Sequence, residues 1–351
     1  MHRIRILRRL ALAAMLLAFC VVVFGAYVRL TDAGLGCPDW PGCYGHVTPV
    51  GAAAAASDGT LDAATAQAPL HVGKAWREMI HRYGASTLGL IIVVNAVLTF
   101  LWRRQVGVSP GLPMVLVVLV IFQGLLGMWT VTLLLKPLIV TLHLVFGLTT
   151  LSMLWWLWLS LRRRSSGPWA GGTSSAGGGL HSALVRPAPM GVRRAALIGV
   201  VALALQIMLG GWTSTNYSAV ACPDFPKCQG AWWPEADYKD AFVLWRGLGI
   251  NYEGGVLQHP ARVAIHFTHR LGAIVATLAL LFAGIAALRA SHEVHTRWAA
   301  VAVLLALALQ LVIGISMVMR GFPLWLATAH NAGAALLLLS TLALNRALRR
   351  V

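Results

Sequence analysis

The sequence predicts an all-α integral membrane protein with eight transmembrane helices, arranged as two tandem four-helix bundles related by a pseudo-two-fold axis. Hydrophobic residues make up 58% of the chain, charged residues make up 11%, and the mean hydropathy is +0.73. Such values are typical of chains that fold in a bilayer rather than in water. Two further observations support the prediction: eight apolar runs are long enough to cross a membrane, and several motifs occur twice along the chain.

Each apolar run approaches the ~20 residues that a helix needs to cross the hydrocarbon core. The predicted spans are 9–30, 83–102, 113–134, 138–161, 194–213, 268–289, 297–319 and 324–345. The first span follows the basic start MHRIRILRR and contains Cys20, as a lipoprotein leader would. Phe19 is too bulky for the small residue that such a cleavage site requires, so we expect an uncleaved first helix.

The distribution of charge predicts how the spans are oriented, because Lys and Arg are retained on the cytoplasmic side. Most of the 28 basic residues fall at the two termini and in the loops near 103–112, 162–193 and 289–297. Glu293 is the one acidic residue of the 11 in the chain that falls with them. We therefore expect both termini to be cytoplasmic. The net charge of +17 reflects this topology and requires no nucleic acid partner.

An internal repeat divides the chain into two halves of four spans each. The long outer loops contain CPDWPGC from Cys37 and CPDFPKC from Cys222, which lie 185 residues apart. Four spans per half leave both halves in the same orientation, which predicts a two-fold axis along the membrane normal. We expect one bundle at 1–161, a second at 193–351, and a Gly/Ser-rich cytoplasmic linker at 162–192.

Each outer loop carries two cysteines, and the pairs share one spacing. They are Cys37 with Cys43 and Cys222 with Cys228, each separated by five residues that include two prolines. In an oxidising compartment, a local disulfide is the natural interpretation of such a pair. A redox-active pair and a metal site remain open as alternatives, although zinc sites more often use a shorter CxxC spacing.

Four histidines lie near the outer ends of the spans and form two pairs of similar spacing, His81 with His143 and His269 with His330. Ionisable side chains in a bilayer usually mark a function. Two imidazoles from facing helices suit the two axial positions of a heme iron, so we predict two heme sites. The alternative is a set of histidines that hydrogen-bond across helices without metal. Small residues near the histidines are expected to let a flat macrocycle approach the backbone: Gly84, Gly147, Gly272 and Gly333.

Charged residues beside the histidines extend this prediction. Arg82 and Arg270 follow the first histidine of each pair and are candidates for binding heme propionates, with contacts to lipid headgroups as the alternative. Glu78 lies three residues before His81, whereas His266 occupies the equivalent position before His269. A carboxylate there is a candidate proton acceptor in an oxidation, unless it caps the helix or pairs with Arg82. This difference suggests one catalytic half and one electron-carrying half.

The chain resembles the heme A synthase family of oxygen-respiring bacteria. The resemblance is carried by GAYVRLTDAGLGCPDWPGCYG, by the EMIHR segment, by the paired histidines and by CPDFPKC. It implies an oxidoreductase of the bacterial inner membrane that takes part in cytochrome oxidase assembly. The implied reaction oxidises the C8 methyl group of heme O to a formyl group by successive hydroxylations, which yields heme A for terminal oxidases.

The resemblance also implies which half does what. The first half, with His81, His143 and Glu78, is expected to hold the heme O substrate, and His269 and His330 are expected to bind the iron of a permanent heme b. Heme O synthase, oxidase assembly factors and an unidentified electron acceptor are the implied partners. A bis-histidine cytochrome that only carries electrons is the alternative function. A tandem-repeat transporter is disfavoured because the polar residues lie at the outer edge rather than at the midplane.

Overall fold

The computed structural model describes residues 2–61, 69–164 and 188–349, and in these ranges the chain is helical with isolated β-bridges but no strand. A 3₁₀ turn, Ala219–Ala221, accompanies the α-helices. The α-helices of the described ranges are α1 (His2–Leu30), α2 (Pro49–Ser57), α3 (Val72–Val106), α4 (Gly111–Thr132), α5 (Pro137–Arg164), α6 (Met190–Thr215), α7 (Tyr238–Ala241), α8 (His259–Ala290), α9 (Val294–Met319) and α10 (Leu324–Leu348).

Eight of these helices are long and apolar enough to cross a membrane: α1, α3, α4, α5, α6, α8, α9 and α10. The predicted all-α membrane fold is confirmed, and each predicted span lies largely within one of these helices. Helices are favoured here because a helix satisfies its own backbone hydrogen bonds where no water is present. The predicted linker falls mainly on residues 165–187, which lie outside the described residues.

Helices α3 and α8 begin well before their predicted spans. Helix α3 has 35 residues and starts at Val72 rather than at 83, and α8 has 32 residues and starts at His259 rather than at 268. Their polar first turns fall outside an apolar run, so hydropathy alone does not detect them. Packing stabilises these turns, since Ala75 and Met79 are buried against Cys37 and Cys43 of the first outer loop. The extensions carry Glu78 and His266, which precede the predicted spans.

The membrane helices pack as two sets of four. Helix α1 contacts α3 and α5, and α4 contacts the same two helices; in the second set α6 contacts α8 and α10, and α9 contacts the same two. Between the sets, α1 contacts α10 and α5 contacts α6. Exchanging the halves converts one of these contacts into the other, as a two-fold axis requires. The contacts are compatible with the predicted tandem bundles, whose boundaries at 161 and 193 remain a prediction.

The apolar core lies toward the helix ends that carry the two chain termini. Its fully buried side chains include Leu7, Ala11, Leu151, Leu280 and Leu344. Buried amides bind backbone carbonyls in the same region: Asn95 donates to the Leu7 carbonyl and Asn345 donates to the Ala196 carbonyl, both at 3.0 Å. This packing fixes the helices at one end of the molecule, while the paired histidines lie toward the other end.

Candidate functional site

The first histidine pair comes together as predicted. His81 on α3 and His143 on α5 are half-buried, and their ring centroids lie 6.4 Å apart with the rings edge to face. Among the described residues, no group hydrogen-bonds the Nδ1 atom of either ring. Two imidazoles that face each other from different helices, with unpartnered nitrogens, fit a planar iron complex bound between them.

A glycine on a neighbouring helix faces each of the four histidine rings. A Cβ atom built on Gly25 of α1 would lie 2.7 Å from Cε1 of His81, and one built on Gly210 of α6 would lie 3.2 Å from Cε1 of His269. At the second histidines, a Cβ atom built on Gly127 would lie 3.4 Å from Cε1 of His143, and one built on Gly314 would lie 3.0 Å from Cε1 of His330. Glycine at these positions lets each imidazole lie directly against the helix backbone.

The glycines singled out from the sequence have a different role from the one expected. Gly84 faces the side chain of Val21, and Gly147 faces the amide of Gln123. In the second half, the amides of Gln206 and Gln310 lie against Gly272 and Gly333. The expectation that these glycines make room for a macrocycle was wrong, because side chains of adjacent helices occupy the space beside them.

Amide side chains hold the second histidine pair. Nε2 of Gln206 lies 3.0 Å from Nδ1 of His269 and donates to its backbone carbonyl, also at 3.0 Å. Nε2 of Gln310 lies 3.2 Å from Nδ1 of His330 and donates to its carbonyl at 3.1 Å. In the first half, Gln123 donates to the carbonyl of His143 at 2.7 Å.

Glu78 lies one helical turn before His81 and is only 5% exposed. Its Oε1 accepts a hydrogen bond from Nη2 of Arg82 at 2.5 Å, and its Oε2 accepts one from the backbone N–H of Cys37 at 2.9 Å. The ion pair with Arg82, one of the alternatives left open by the sequence, is therefore present. The carboxylate also ties the first cysteine loop to α3.

His266 takes the place of Glu78 in the second half and is equally buried. Its Nδ1 lies 3.3 Å from the N–H of Cys222, and its Nε2 lies 3.2 Å from Nε of Arg270. A neutral imidazole has one acceptor nitrogen, whereas a carboxylate accepts at both oxygens. His266 therefore accepts from only one of these donors at a time, and the second loop is held by fewer simultaneous bonds at this point.

The side chains of the two arginines predicted to bind propionates contact the cysteine loops. Nη1 of Arg82 donates to the carbonyls of Asp39 at 3.0 Å and Gly42 at 2.5 Å. Arg270 donates to the carbonyls of Lys227 and Cys222, both at 2.8 Å. These bonds fix the loops over the outer ends of α3 and α8. The propionate role stays a prediction, and the structure gives both side chains a loop-holding role that the sequence did not suggest.

Both cysteine pairs form disulfides, Cys37–Cys43 and Cys222–Cys228, as the sequence predicted. All four cysteines are at most 1% exposed, which shields the sulfurs from a partner thiol and favours a structural role. An aspartate in each loop adds a second support. Asp39 accepts from the N–H groups of Tyr44 and Gly45, and Asp224 accepts from those of Gln229 and Gly230.

Comparison with known proteins extends the similarity over nearly the whole chain. The family model described as cytochrome oxidase assembly protein matches residues 8–342. A heme A synthase of Shewanella oneidensis is 42% identical over 330 residues, covering 93% of this chain and 91% of that relative. Heme A synthases of Rhizorhabdus wittichii and Halalkalibacterium halodurans are 28% and 26% identical, over 93% and 88% of this chain and 89% and 86% of their own.

This chain belongs to the heme A synthase family. The match begins within α1 and ends within α10, so it includes both histidine pairs and both cysteine loops. The resemblance inferred from the motifs is confirmed. The two halves of this heme A synthase family member carry similar histidine pairs but differ at positions 78 and 266.

Sequence reasoning missed several residues that contact the two histidine pairs. Gln206 and the four glycines that face the imidazoles were not singled out. The repeat contained the signal, because Gly25 and Gly210 are offset by the same 185 residues as the cysteine loops, and Gly127 and Gly314 by the same 187 as His143 and His330. Applying the offset to every residue of the spans would have found the glycines and also the pair in which Gln206 is matched by Val21.

Proposed function

We propose that this protein is a heme A synthase, an oxidoreductase that converts the C8 methyl group of heme O to a formyl group. The similarity to heme A synthases over nearly the whole chain carries the proposal, and the two histidine pairs are consistent with it. The overall change is R–CH₃ + H₂O → R–CHO + 4 H⁺ + 4 e⁻. The electrons pass to an acceptor outside the chain, and the protons require a base near the reacting carbon.

The first histidine pair is the proposed site of the heme O substrate. His81 and His143 approach from different helices, and Gly25 and Gly127 allow their rings to lie close to the backbone. Glu78 is the nearest carboxylate to His81 along α3, one turn away, and we assign it the role of proton acceptor. Its bond to Arg82 orients it.

The second pair is the proposed site of a resident heme b, held by His269 and His330. The residues fit such a group, since each imidazole contacts a glutamine amide whose oxygen is buried without a partner among the described residues. Bound there, heme b supplies one-electron transfer. The protein's part is to hold the two rings, exclude water and place this group beside the first bundle through the contacts of α1 with α10 and of α5 with α6.

The chain is a multi-pass membrane protein, and we propose that both termini are cytoplasmic. Both sites then open toward the outer side, where the cysteine loops lie in an oxidising compartment. An enzyme that makes heme O is the proposed source of substrate, and oxidase assembly factors are the proposed recipients of product. The relatives do not favour the alternative of a cytochrome that only carries electrons.

The proposed activity is tested by producing this protein together with heme O synthase in a host that makes no heme A. Heme extracted from the membranes is separated by chromatography and identified by mass. We expect a formyl-bearing heme A peak that is absent from the empty-vector control. Heme B and heme O alone, from an inserted and heme-loaded protein, would support the electron-carrying cytochrome instead.

The role of Glu78 is tested by Glu78→Gln, which keeps an acceptor for the Cys37 N–H but removes the base. We expect heme A formation to fall by about 100-fold or more, the usual contribution of a general base, with heme content unchanged. His266→Gln changes the equivalent position in the other half and serves as the matched control, with activity expected to remain within a few-fold of the unaltered protein. If Glu78→Gln formed heme A as fast as His266→Gln does, Glu78 would have no role in the mechanism.

The assignment of the two sites is tested by removing one histidine from each. We expect His330→Ala to insert normally but to lose heme b from the purified protein, whereas His143→Ala should retain heme b and fail to bind heme O. Absorbance spectra and extracted heme, both per mole of protein, report the outcome. Retention of the full heme content by His330→Ala would show that the second pair does not bind the resident heme.

A further inference from the structure

Val21 and Gln206 occupy equivalent positions in the two halves but differ in chemistry. Val21 lies one turn before Gly25 on α1, and Gln206 lies one turn before Gly210 on α6. Each packs on a glycine of the helix that carries the first histidine of its pair: Val21 on Gly84 and Gln206 on Gly272. The repeat therefore places an apolar side chain in one half where the other half has a carboxamide.

The carboxamide contacts a histidine that the valine cannot. Gln206 lies within hydrogen-bonding distance of Nδ1 of His269 and also bonds its carbonyl, and Gln310 does the same for His330. In the first half, Gln123 bonds only the carbonyl of His143, and Nδ1 of neither ring has a partner among the described residues. In the second half a side-chain amide lies at Nδ1 of both rings, and in the first half no side-chain amide does.

An imidazole that binds a metal through Nε2 carries its proton on Nδ1 and is oriented by an acceptor at that position. The oxygens of the Gln206 and Gln310 amides are both buried, and neither has a hydrogen-bond partner in the described part of the chain. A half-turn of the amide places that oxygen against the ring nitrogen, in exchange for the bond from Nε2 to the backbone carbonyl, since the two ends of a carboxamide occupy nearly the same space. The amide then fixes both the tautomer and the ring plane.

We infer that Gln206 is a positioning residue that makes the second site retain its heme, and that valine at position 21 leaves the first site free to exchange. The inference rests on the proposed function, in which one heme is a resident cofactor and the other is a substrate that must leave as product. Loss of an outer hydrogen bond to a metal-bound histidine typically costs 10-fold to 100-fold in metal affinity. A site that releases its product after each turnover benefits from the weaker arrangement.

The experiment compares the purified heme-loaded protein with Gln206→Val, which introduces the residue that the first half already carries against an equivalent glycine. Heme release is followed by transfer to excess apomyoglobin, and the ferric heme is examined by electron paramagnetic resonance. We expect Gln206→Val to release heme b about 10-fold faster or more, with a shifted or broadened low-spin signal. Leu205→Val, on the exposed face of α6, is the matched control and should match the unaltered protein in both measurements.

The reverse substitution provides a second test that does not depend on weakening the protein. In the His330→Ala background, which removes the heme b site, Val21→Gln should slow the release of heme O from the first site by a similar factor. Unchanged release rates and unchanged spectra in both Gln206→Val and Val21→Gln would overturn the inference while leaving the synthase function intact. Heme b retained by His269→Ala would instead show that the proposed second site is wrong, whatever the glutamine does.

Discussion

Single residues decide how firmly each cysteine loop is attached to its helix. At the first loop, Glu78 accepts from Cys37 and Arg82 at the same time, and Arg82 also donates to loop carbonyls. At the second loop, His266 offers one acceptor nitrogen to two donors. The carboxylate therefore has a structural role beside its proposed catalytic one. A variant at Glu78 must be tested for loop attachment as well as for activity.

Asp224, the aspartate that supports the second cysteine loop, gives a prediction about how the stability of that loop depends on pH. The N–H of Gly230, with that of Gln229, lowers the pKa of Asp224 below its ordinary value of 3.8. A lowered pKa means that the charged form stabilises the fold, so this contribution is complete above the ordinary pKa and is lost as the pH falls through the lower folded pKa. We expect Asp224→Asn to speed reduction of Cys222–Cys228 by a water-soluble phosphine at pH 7, with a smaller difference from the unaltered protein at pH 3.

The comparison is made between the two proteins at each pH, because the phosphine itself changes reactivity with pH. Mass spectrometry after alkylation separates the second disulfide from the first, which lies on the other loop and serves as an internal control. A difference of the same size at pH 3 and pH 7 would contradict a role for the charged form of Asp224.

At the scale of helices, glycine positions control how closely neighbouring helices approach the histidines. Gly25 of α1 lies directly against His81 of α3, whereas Gly127 of α4 is at an ordinary contact distance from His143. The α1–α3 pair therefore has no room for a methyl group at this point, and the α4–α5 pair has some. The ring of His81 is thus constrained more strongly by its neighbouring helix than the ring of His143 is.

We predict that Gly25→Ala weakens heme O binding at the first site, because the added methyl must displace the His81 ring or move α1. Overpacking of this kind costs ~1–3 kcal/mol, which corresponds to roughly a 5-fold to 150-fold loss of affinity if it falls on the bound state. Gly127→Ala is the matched control and should bind nearly normally. Heme O titration in the His330→Ala background measures both. Equal affinities for the two variants would show that the Gly25 contact does not constrain the site.

At the scale of the whole molecule, the halves are joined by contacts of α1 with α10, of α5 with α6 and of α5 with α10, and by a segment near the cysteine loops. Gly211 of α6 packs on Leu144 of α5, and Thr141 bonds Thr215 across the same boundary. At the end of the molecule that carries the cysteine loops, the buried Lys136 of the first half donates to the carbonyl of Gly247 and lies over the ring of Trp245. The equivalent position in the second half is Pro323, so this clamp is not repeated and breaks the two-fold symmetry.

These contacts predict that the halves associate without a covalent connection. Fragments 1–175 and 176–351, produced together with an affinity tag on one of them, should purify as a heme-containing complex. Gly211→Leu in the second fragment is the disrupting variant, since even a Cβ there would lie 3.0 Å from Leu144. Fragments that insert separately but never copurify would show that the boundary between the halves depends on the chain connection.

The membrane class, the eight helices long enough to cross a membrane, the repeat, the positions of the four histidines, the two disulfides and the family were all predictable from the sequence. Hydropathy measures how favourable it is to transfer each segment from water into hydrocarbon, so the membrane helices can be found from composition. Chemically distinctive residues that recur at a constant offset reveal the repeat without coordinates. The true starts of α3 and α8, the glycines that face the imidazoles, the loop-holding role of Arg82 and the Gln206 amide on His269 became known from the folded structure. Each of these depends on contacts between segments far apart in the chain, whose geometry is set by helix packing and not by local composition.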